Sequence, residues 1–298
     1  MSEPQAYRAG HAALVGRPNV GKSSLLNVFV GAHLGAVSNK PHTTRQSVIG
    51  VRTFEHAQIA FVDTPGMQQR RPTAVHRAME RAVEQAIVDV DLIALVVEAG
   101  IWKGGDSDAL ARAQQSGRPI ALLINKVDLV KDKQQLLPYI AKVAAKHDFV
   151  SVLLVGARKE QGTEEACRRL AGLLPERPAL YDPDTLTDRS ERFLAGELIR
   201  EQLMRQLGAE VPYACAVEIE QFETEGNLRR MAATIWVERE GQKAIVIGDG
   251  GARLKQVGTA AREAMEALFG GRVHVEIWVK VRADWSEDER SLRQLGLN

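Results

Sequence analysis

The sequence predicts two folded parts: an α/β domain on a mostly parallel sheet with helices on both faces, then a smaller α+β domain. Three observations carry this. Through the first half, apolar runs of strand length alternate with amphipathic stretches of helix length. A segment from Leu174 to Asp184 then holds Pro175, Pro178 and Pro183, which cannot continue a helix and favour extended chain. Beyond it the order becomes helix, strand, strand, helix, Gly-x-x-Gly turn, helix, strand. The chain has 298 residues, 45% of them hydrophobic and 26% charged, as suits a globular protein with a full core. The expected limits are 1–173 for the first domain, 174–186 for the linker and 187–298 for the second domain.

The expected strands of the first domain run from His11 to Val15, Val48 to Thr53, Gln58 to Val62, Asp91 to Val97, Ile120 to Ile124 and Val150 to Val155. Helical patterns lie from Ser24 to Phe29 and near Thr73 to Val88, Ser107 to Gln115 and Lys133 to Ala145. Ligands of such sheets bind at the carboxyl ends of the strands, so the polar residues that follow each strand matter most.

After the first strand comes Gly16-Arg17-Pro18-Asn19-Val20-Gly21-Lys22-Ser23, then Ser24. It fits G-x-x-x-x-G-K-[ST] between a strand and a helix, the phosphate-binding P-loop. Glycines let the backbone close around an anion, and the helix N-terminus adds partial positive charge. Lys22 supplies a point charge for the β- and γ-phosphates, and Ser23 a hydroxyl for Mg²⁺. In the polar stretch from Ser38 to Ser47, Thr44 is preferred over Thr43 as a second hydroxyl for the ion. Asp63-Thr64-Pro65-Gly66 follows the third strand. Asp63 can hold the Mg²⁺ shell, and the Gly66 N–H can meet a γ-phosphate and release it. After the fifth strand, Asn125-Lys126-Val127-Asp128 places a carboxylate where guanine offers N1–H and its exocyclic amine, a donor pair adenine lacks. Lys126 can pack along the base or back toward the P-loop. After the sixth come Gly156-Ala157-Arg158, where the Ala157 N–H can reach the guanine O6. Alone, D-x-x-G and N-K-x-D are ordinary loop sequences; in this order behind a P-loop they specify a guanine-nucleotide site.

The second domain opens on a helix from about Thr187 to Leu207, followed by strands from Ala214 to Phe222 and Met231 to Arg239. Gly248-Asp249-Gly250-Gly251 then sits between two helical segments, and a strand from Val273 to Val281 closes the chain. That order matches a type II KH domain, whose Gly-x-x-Gly turn clamps a nucleic-acid backbone. The candidate RNA-binding residues are Lys243, Ile247, Gly248, Asp249, Gly250, Gly251, Arg253 and Lys255. Net charge is +1 overall, and from Thr185 onward 16 Lys and Arg face 19 Asp and Glu. Generic polyanion binding is excluded, so any RNA site is local; Asp249 either works against phosphate within it or only forms the turn without touching RNA. Cys167 and Cys215 carry no metal or redox spacing and suit a reducing compartment. No apolar run approaches the roughly 20 residues that span a bilayer. The start of the chain lacks signal-peptide features, and a cytoplasmic protein is expected, with peripheral membrane contact compatible with the composition.

Together these motifs resemble GTPases of the Era family. The likeness rests on Gly16 to Ser23, Thr43-Thr44-Arg45, Asp63 to Gly66, Asn125 to Asp128, the Gly-x-x-Gly turn, Glu238 to Lys243 and Trp285 to Arg290, and covers nearly the whole chain. It implies GTP hydrolysis with Mg²⁺, coupled to binding the 3′ end of small-subunit ribosomal RNA during assembly of the small ribosomal subunit, by a monomer. The family matches also imply that Met67 stands where signalling GTPases carry a catalytic Gln, and that Asn19 is a candidate ligand of a K⁺ ion beside the phosphates. Lys22, Thr44, Gly66 and Asn19 are then the catalytic candidates. Gly156 departs from the family's Ser-Ala pattern, which implies a looser base loop. The alternatives are another housekeeping or tRNA-modification GTPase, which would need a different appended domain, and an RNA chaperone with a structural nucleotide site.

Overall fold

A computed structural model describes residues 6–66, 74–208 and 210–295. Met67, and with it the position of the missing Gln, lies outside the described residues. The chain divides into two compact units, each described below by itself. Of the described residues, 6–35, 44–66 and 79–188 form the first, and 36–43, 74–78 and 189–295 the second.

The first unit is a six-stranded sheet. Its strands are β1 (Arg8–Val15), β2 (Val48–Phe54), β3 (Ala57–Asp63), β4 (Leu92–Glu98), β5 (Ile120–Asn125) and β6 (Ser151–Leu154). Their order is β2-β3-β1-β4-β5-β6, parallel throughout except for the edge strand β2, which runs antiparallel to β3. The helices are α1 (Lys22–Val30), α2 (Ala74–Val88, of which residues 79–88 belong to this unit), α3 (Gly104–Gln115), α4 (Leu136–Ala144) and α5 (Thr163–Gly172). Central strands β4 and β5 are buried along almost their whole length because helices cover both faces. Ile93, Leu95 and Val97 of β4, with Ile120, Leu122 and Ile124 of β5, join Val83 and Ile87 of α2 and Ala109, Leu110 and Ala113 of α3 in one cluster. The expected helix from Lys133 to Ala145 is a 3₁₀ turn over Lys133–Gln135 followed by α4, with Pro138 in its first turn, where a missing N–H costs nothing. The helix α5 has no strong sequence signal: its buried stripe is mostly small residues, Thr163, Ala166, Cys167 and Ala171, with only Leu170 among larger ones.

The proline-rich segment is extended, but it is strapped to the first unit. The Leu174 carbonyl accepts from Arg8 Nη1 (2.7 Å), and the Pro175 carbonyl from the Ala9 N–H (3.1 Å). Buried Gln58 accepts the Leu180 and Tyr181 N–H groups at 2.8 and 2.9 Å and donates to the Tyr181 carbonyl at 2.9 Å. The Val51 N–H donates to the Leu186 carbonyl (2.8 Å). Each added bond fixes chain that proline had already stiffened, so little further entropy is lost.

In the second unit, α6 (Glu191–Gln206) is followed by β7 (Ala216–Glu225), β8 (Leu228–Val237), α7 (Glu240–Ile247), α8 (Ala252–Phe269), β9 (Arg272–Val281) and α9 (Glu289–Gln294). Ser190 caps α6 by accepting the Phe193 N–H (3.3 Å). The three-stranded sheet has order β7-β8-β9, with β8 antiparallel to β7 and parallel to β9. Leu198, Ile199 and Leu203 of α6 and Val257, Ala261 and Met265 of α8 pack with Ile235 and Val279 of the sheet. The hairpin lies later in β7 and earlier in β8 than expected. The tight Gly226-Asn227 turn carries pairing through the polar residues Glu223, Thr224, Glu225, Arg229 and Arg230, which alternation of apolar residues does not reveal. Segment 36–43 belongs to this unit: Lys40 Nζ donates to the Leu207 carbonyl (2.5 Å) and to the Met204 carbonyl, while Arg205 Nε donates to the Val37 carbonyl (2.9 Å). A cation thus sits on the open carbonyls that end α6, where the helix dipole favours it. Among the described residues, no helix is long and apolar enough to cross a membrane.

Candidate functional site

The strand β1 delivers Gly16–Ser23 to the N-terminus of α1. Lys22 is buried, and its Nζ donates to the Gly16 and Arg17 carbonyls at 3.0 and 3.2 Å. Burial pushes its ammonium down to about 8 against the pull of Asp63. Ser23 Oγ donates to Asp63 Oδ2 at 2.6 Å and lies 2.8 Å from Thr44 Oγ1, which reaches the same Oδ2 at 3.3 Å. The three residues expected at Mg²⁺ are therefore brought together. The neighbouring Thr43 hydroxyl instead meets Ser38 Oγ (2.6 Å) and the Lys40 carbonyl (2.8 Å). Burial pushes the Asp63 carboxyl up to about 6, opposed by Lys22 and by the Ser23 and Thr44 hydroxyls. Its Oδ1 is buried without a hydrogen bond. One carboxylate and two hydroxyls are hard oxygen donors, the set that suits Mg²⁺ with phosphate oxygens completing its shell.

Not every loop side chain faces the phosphates. Arg17 turns away: its Nη2 donates to Glu98 Oε2 (2.7 Å) and its Nε to Asp106 Oδ2 (3.1 Å), so only its main chain is left to face the expected phosphate cradle. The Thr64 hydroxyl donates to the Leu14 carbonyl at 2.7 Å and fixes the turn after β3. Gly66 lies against Pro18 of the P-loop. Asn19 holds a left-handed backbone (φ 64) within the loop, a conformation asparagine tolerates.

On the base side, Asn125 ends β5 and ties three loops. Its Nδ2 donates to the Val20 carbonyl (2.8 Å), and its Oδ1 accepts the Ala157 N–H (3.2 Å), the group expected at the guanine O6. Both carboxylate oxygens of Asp128 are buried with no hydrogen-bond partner. A buried carboxylate left so is costly unless a ligand supplies donors, and the guanine N1–H and amine are such a pair. A Cβ on Gly156 would stand 2.8 Å from Asp128 Oδ1, so the glycine gives this carboxylate the space it leans into. Arg158 is exposed beyond it. Lys126, also left-handed (φ 66), places its Nζ 3.3 Å from Glu98 Oε1. Burial works against a charged Glu98, yet Arg17 and Lys126 outweigh it and hold the carboxyl below its ordinary range. Glu98 and Asp106 belong to no motif, so sequence reasoning misses both.

In the second unit the turn from Gly248 to Gly251 joins α7 to α8, with Gly248, Gly250 and Gly251 at φ 73, 53 and 81. Three positive values within four residues demand glycine and bring backbone to the surface. Asp249 is exposed in the turn, and Lys243 pairs with Glu240 (3.8 Å). Ile247 packs on the core. Arg253 Nη1 donates back to the Ile245 carbonyl (2.6 Å), which locks the turn. A groove of about 400 Å³ opens beside it, lined by Gly251, Leu254, Lys255, Gly258, Thr259, Arg262, Val275 and Ile277. Its floor and far wall come from α8 and β9, which the pattern around the glycine turn does not reach. The alternating residues of β9 are the available signal.

Residues 11–126 match a protein family described as 50S ribosome-binding GTPase, and residues 210–286 match the KH domain family. GTPase Era of Stenotrophomonas maltophilia (strain R551-3) is 51% identical over 296 residues, covering 99% of each chain. GTPase Era of Xanthomonas campestris pv. campestris (strain B100) is 50% identical with the same coverage. A crystal structure of Era with MgGDPNP and nucleotides 1506–1542 of 16S ribosomal RNA superposes with a TM-score of 0.93 at 33% identity, over 98% of this chain and 99% of that one. A single-residue variant of Aquifex aeolicus Era bound to GDP·AlF₄⁻ gives the same score and identity, over 97% and 99%. With half its residues identical to the curated relatives end to end and both of their domains present, the chain belongs to the Era family of GTPases.

Proposed function

We propose that this protein is a GTP-driven, RNA-binding switch that acts in small-subunit ribosome assembly by binding the 3′ end of the small-subunit ribosomal RNA. The convergence of Ser23, Thr44 and Asp63 beneath the P-loop carries the nucleotide half of this reading. The groove beside the Gly248–Gly251 turn supports the RNA half, as does the complex of a 33% identical Era with that RNA segment. Apolar side chains and a few polar groups in a groove suit unpaired bases, which need less positive charge than a duplex. The protein is read as a cytoplasmic monomer.

In the reaction GTP and water give GDP and phosphate. Mg²⁺, when bound, neutralises charge on the phosphates. Ser23, Thr44 and Asp63 would hold it. Main-chain N–H groups of Gly16–Ser23 other than Pro18, which has none, cradle the phosphates, Lys22 Nζ exchanges its two loop carbonyls for phosphate oxygens, and the Gly66 N–H meets the γ-phosphate. Asn125 keeps the base loop against the P-loop while Asp128 reads guanine. Asn19 is the proposed K⁺ ligand, and that cation would stabilise charge developing in the transition state. Turnover in KCl should exceed that in NaCl by about tenfold or more, as read by phosphate release at equal ionic strength. Equal rates would remove Asn19 from this role.

Switching would use the loop that ends at Thr44. Residues 36–43 belong to the second unit and Thr44 to the first, so ordering Thr44 at the nucleotide constrains chain held by Lys40 at the end of α6. RNA affinity should differ between a non-hydrolysable GTP analogue and GDP by about fivefold or more, the usual span of coupled sites. Lys40→Ala should shrink that ratio while RNA-free turnover stays near wild type. Crosslinking to total RNA in each nucleotide state tests both the segment bound and the coupling. Equal affinity in the two states would end the switch reading.

A further inference from the structure

Two cations of the nucleotide site share one carboxylate. Glu98, the last residue of β4, accepts from Arg17 Nη2 at 2.7 Å through Oε2 and lies 3.3 Å from Lys126 Nζ through Oε1. Arg17 is the second residue of the phosphate loop, and Lys126 belongs to the base loop. The main chain of Glu98 is fixed as well: it stands opposite Asn125 in the β4–β5 ladder, and its carbonyl accepts from Tyr139 Oη at 2.8 Å. Asp106, fully buried, holds the other side of Arg17 (3.1 Å) and accepts the Lys103 N–H at 2.8 Å. The Arg17 guanidinium is thus clamped between two carboxylates with little solvent access, and its carbonyl is aimed at Lys22 Nζ.

We propose that Glu98 is a positioning residue for nucleotide binding, holding the phosphate loop and the guanine loop at a fixed separation through Arg17 and Lys126. It touches no nucleotide itself. A phosphate cradle and a base slot bind one rigid ligand, so the fit at one end depends on the other staying in place. The purely electrostatic expectation is opposite in sign. Neutralising Glu98 leaves an additional net positive charge near the phosphates and should tighten GDP. The two accounts therefore separate on a single measurement.

The test is the release rate of a fluorescent GDP from wild type, Glu98→Gln, Lys126→Met, Arg17→Gln and the double variant Glu98→Gln/Lys126→Met, with melting temperatures of the nucleotide-free proteins alongside. Release from Glu98→Gln should be about tenfold faster, as expected for loss of a part-buried charge-assisted hydrogen bond, with the melting temperature lowered by no more than about a few degrees. The KM for GTP should rise while kcat stays within about twofold. The double variant should release GDP at the rate of Lys126→Met within about twofold, because both changes break one tie. Release no faster than wild type, or full additivity in the double variant, overturns the proposal. Should Glu98→Gln fail to fold, Lys126→Met and Arg17→Gln each break one arm with Glu98 in place, and unchanged release from both overturns it equally. The inference rests on reading Gly16–Ser23 and Asn125–Asp128 as the two ends of the nucleotide site. Wild type that fails to bind GDP sinks that reading, whereas normal binding with unaffected variants sinks only the role of Glu98.

Discussion

Lys22→Ala is expected to cut GTP turnover by about a hundredfold to a thousandfold and to leave the fold intact. The loss follows from removing the side-chain cation aimed at the P-loop interior; deleting a single preorganised group that stabilises transition-state charge typically costs about 10² to 10³. The intact fold follows from burial. Lys22 is 6% exposed, and its ammonium is held down at about 8 by desolvation. A lysine whose folded value lies below its unfolded value weakens the fold while protonated in both states, here by roughly 3 kcal/mol. That penalty is fully present below pH 8 and is relieved as pH rises from there toward the ordinary lysine value. Nucleotide-free Lys22→Ala should therefore melt no lower than wild type near neutrality, and its margin should narrow above pH 8. The rise in melting temperature that GDP gives wild type should vanish in the variant. Phosphate release and thermal melts with and without GDP check all three. Turnover within about tenfold of wild type would show that Lys22 is not the catalytic cation, and a wild type without turnover would favour an RNA chaperone whose nucleotide is structural.

The same lysine shows how much of the site can be read from sequence. Its place in G-x-x-x-x-G-K-[ST], after an apolar strand and before a helix, assigns it an expected role without coordinates, because that geometry turns main-chain N–H groups and a helix end onto one anion. Thr44 is legible for a similar reason: a hydroxyl in a polar loop ahead of Asp63. That it, rather than Thr43, meets Ser23 goes with the Thr43 hydroxyl being taken by Ser38 and the Lys40 carbonyl, partners that the motif does not reveal. Sequence alone reads Arg17 with its loop as a phosphate contact, yet its guanidinium faces Glu98 and Asp106, carboxylates supplied by other elements. Gly156 reads as a lost serine that loosens a loop. In the fold it is the residue against which Asp128 leans. Motifs report the local chain and the ligand it serves. Which side chains brace a motif is settled by tertiary neighbours that no short pattern contains.

Asp128→Asn should move base preference from guanine to xanthine. Both Asp128 oxygens are buried and unpartnered within the protein, so the carboxylate is positioned to accept two hydrogen bonds from one ligand. Guanine meets it with N1–H and an amine, each bond charge-assisted and about 1.5 to 3 kcal/mol. Asparagine keeps the shape but turns one acceptor into a donor, which faces the guanine amine across an unmatched pair. Xanthine carries a carbonyl in place of that amine and restores the match. GDP affinity should fall by about a hundredfold or more, and xanthosine diphosphate should become the tighter ligand. Adenine should gain nothing, since it offers neither N1–H nor the adjacent carbonyl. The Gly156 contact sharpens the expectation. With no Cβ there, the asparagine can occupy the space of the aspartate without displacing the 156–158 loop, so lost affinity reports hydrogen bonding rather than a moved chain. Competition of GDP, XDP and ADP against one labelled nucleotide reads the three affinities together. A variant that still binds GDP within about threefold of wild type would show that Asp128 does not read the base and that guanine selectivity lies elsewhere in the site.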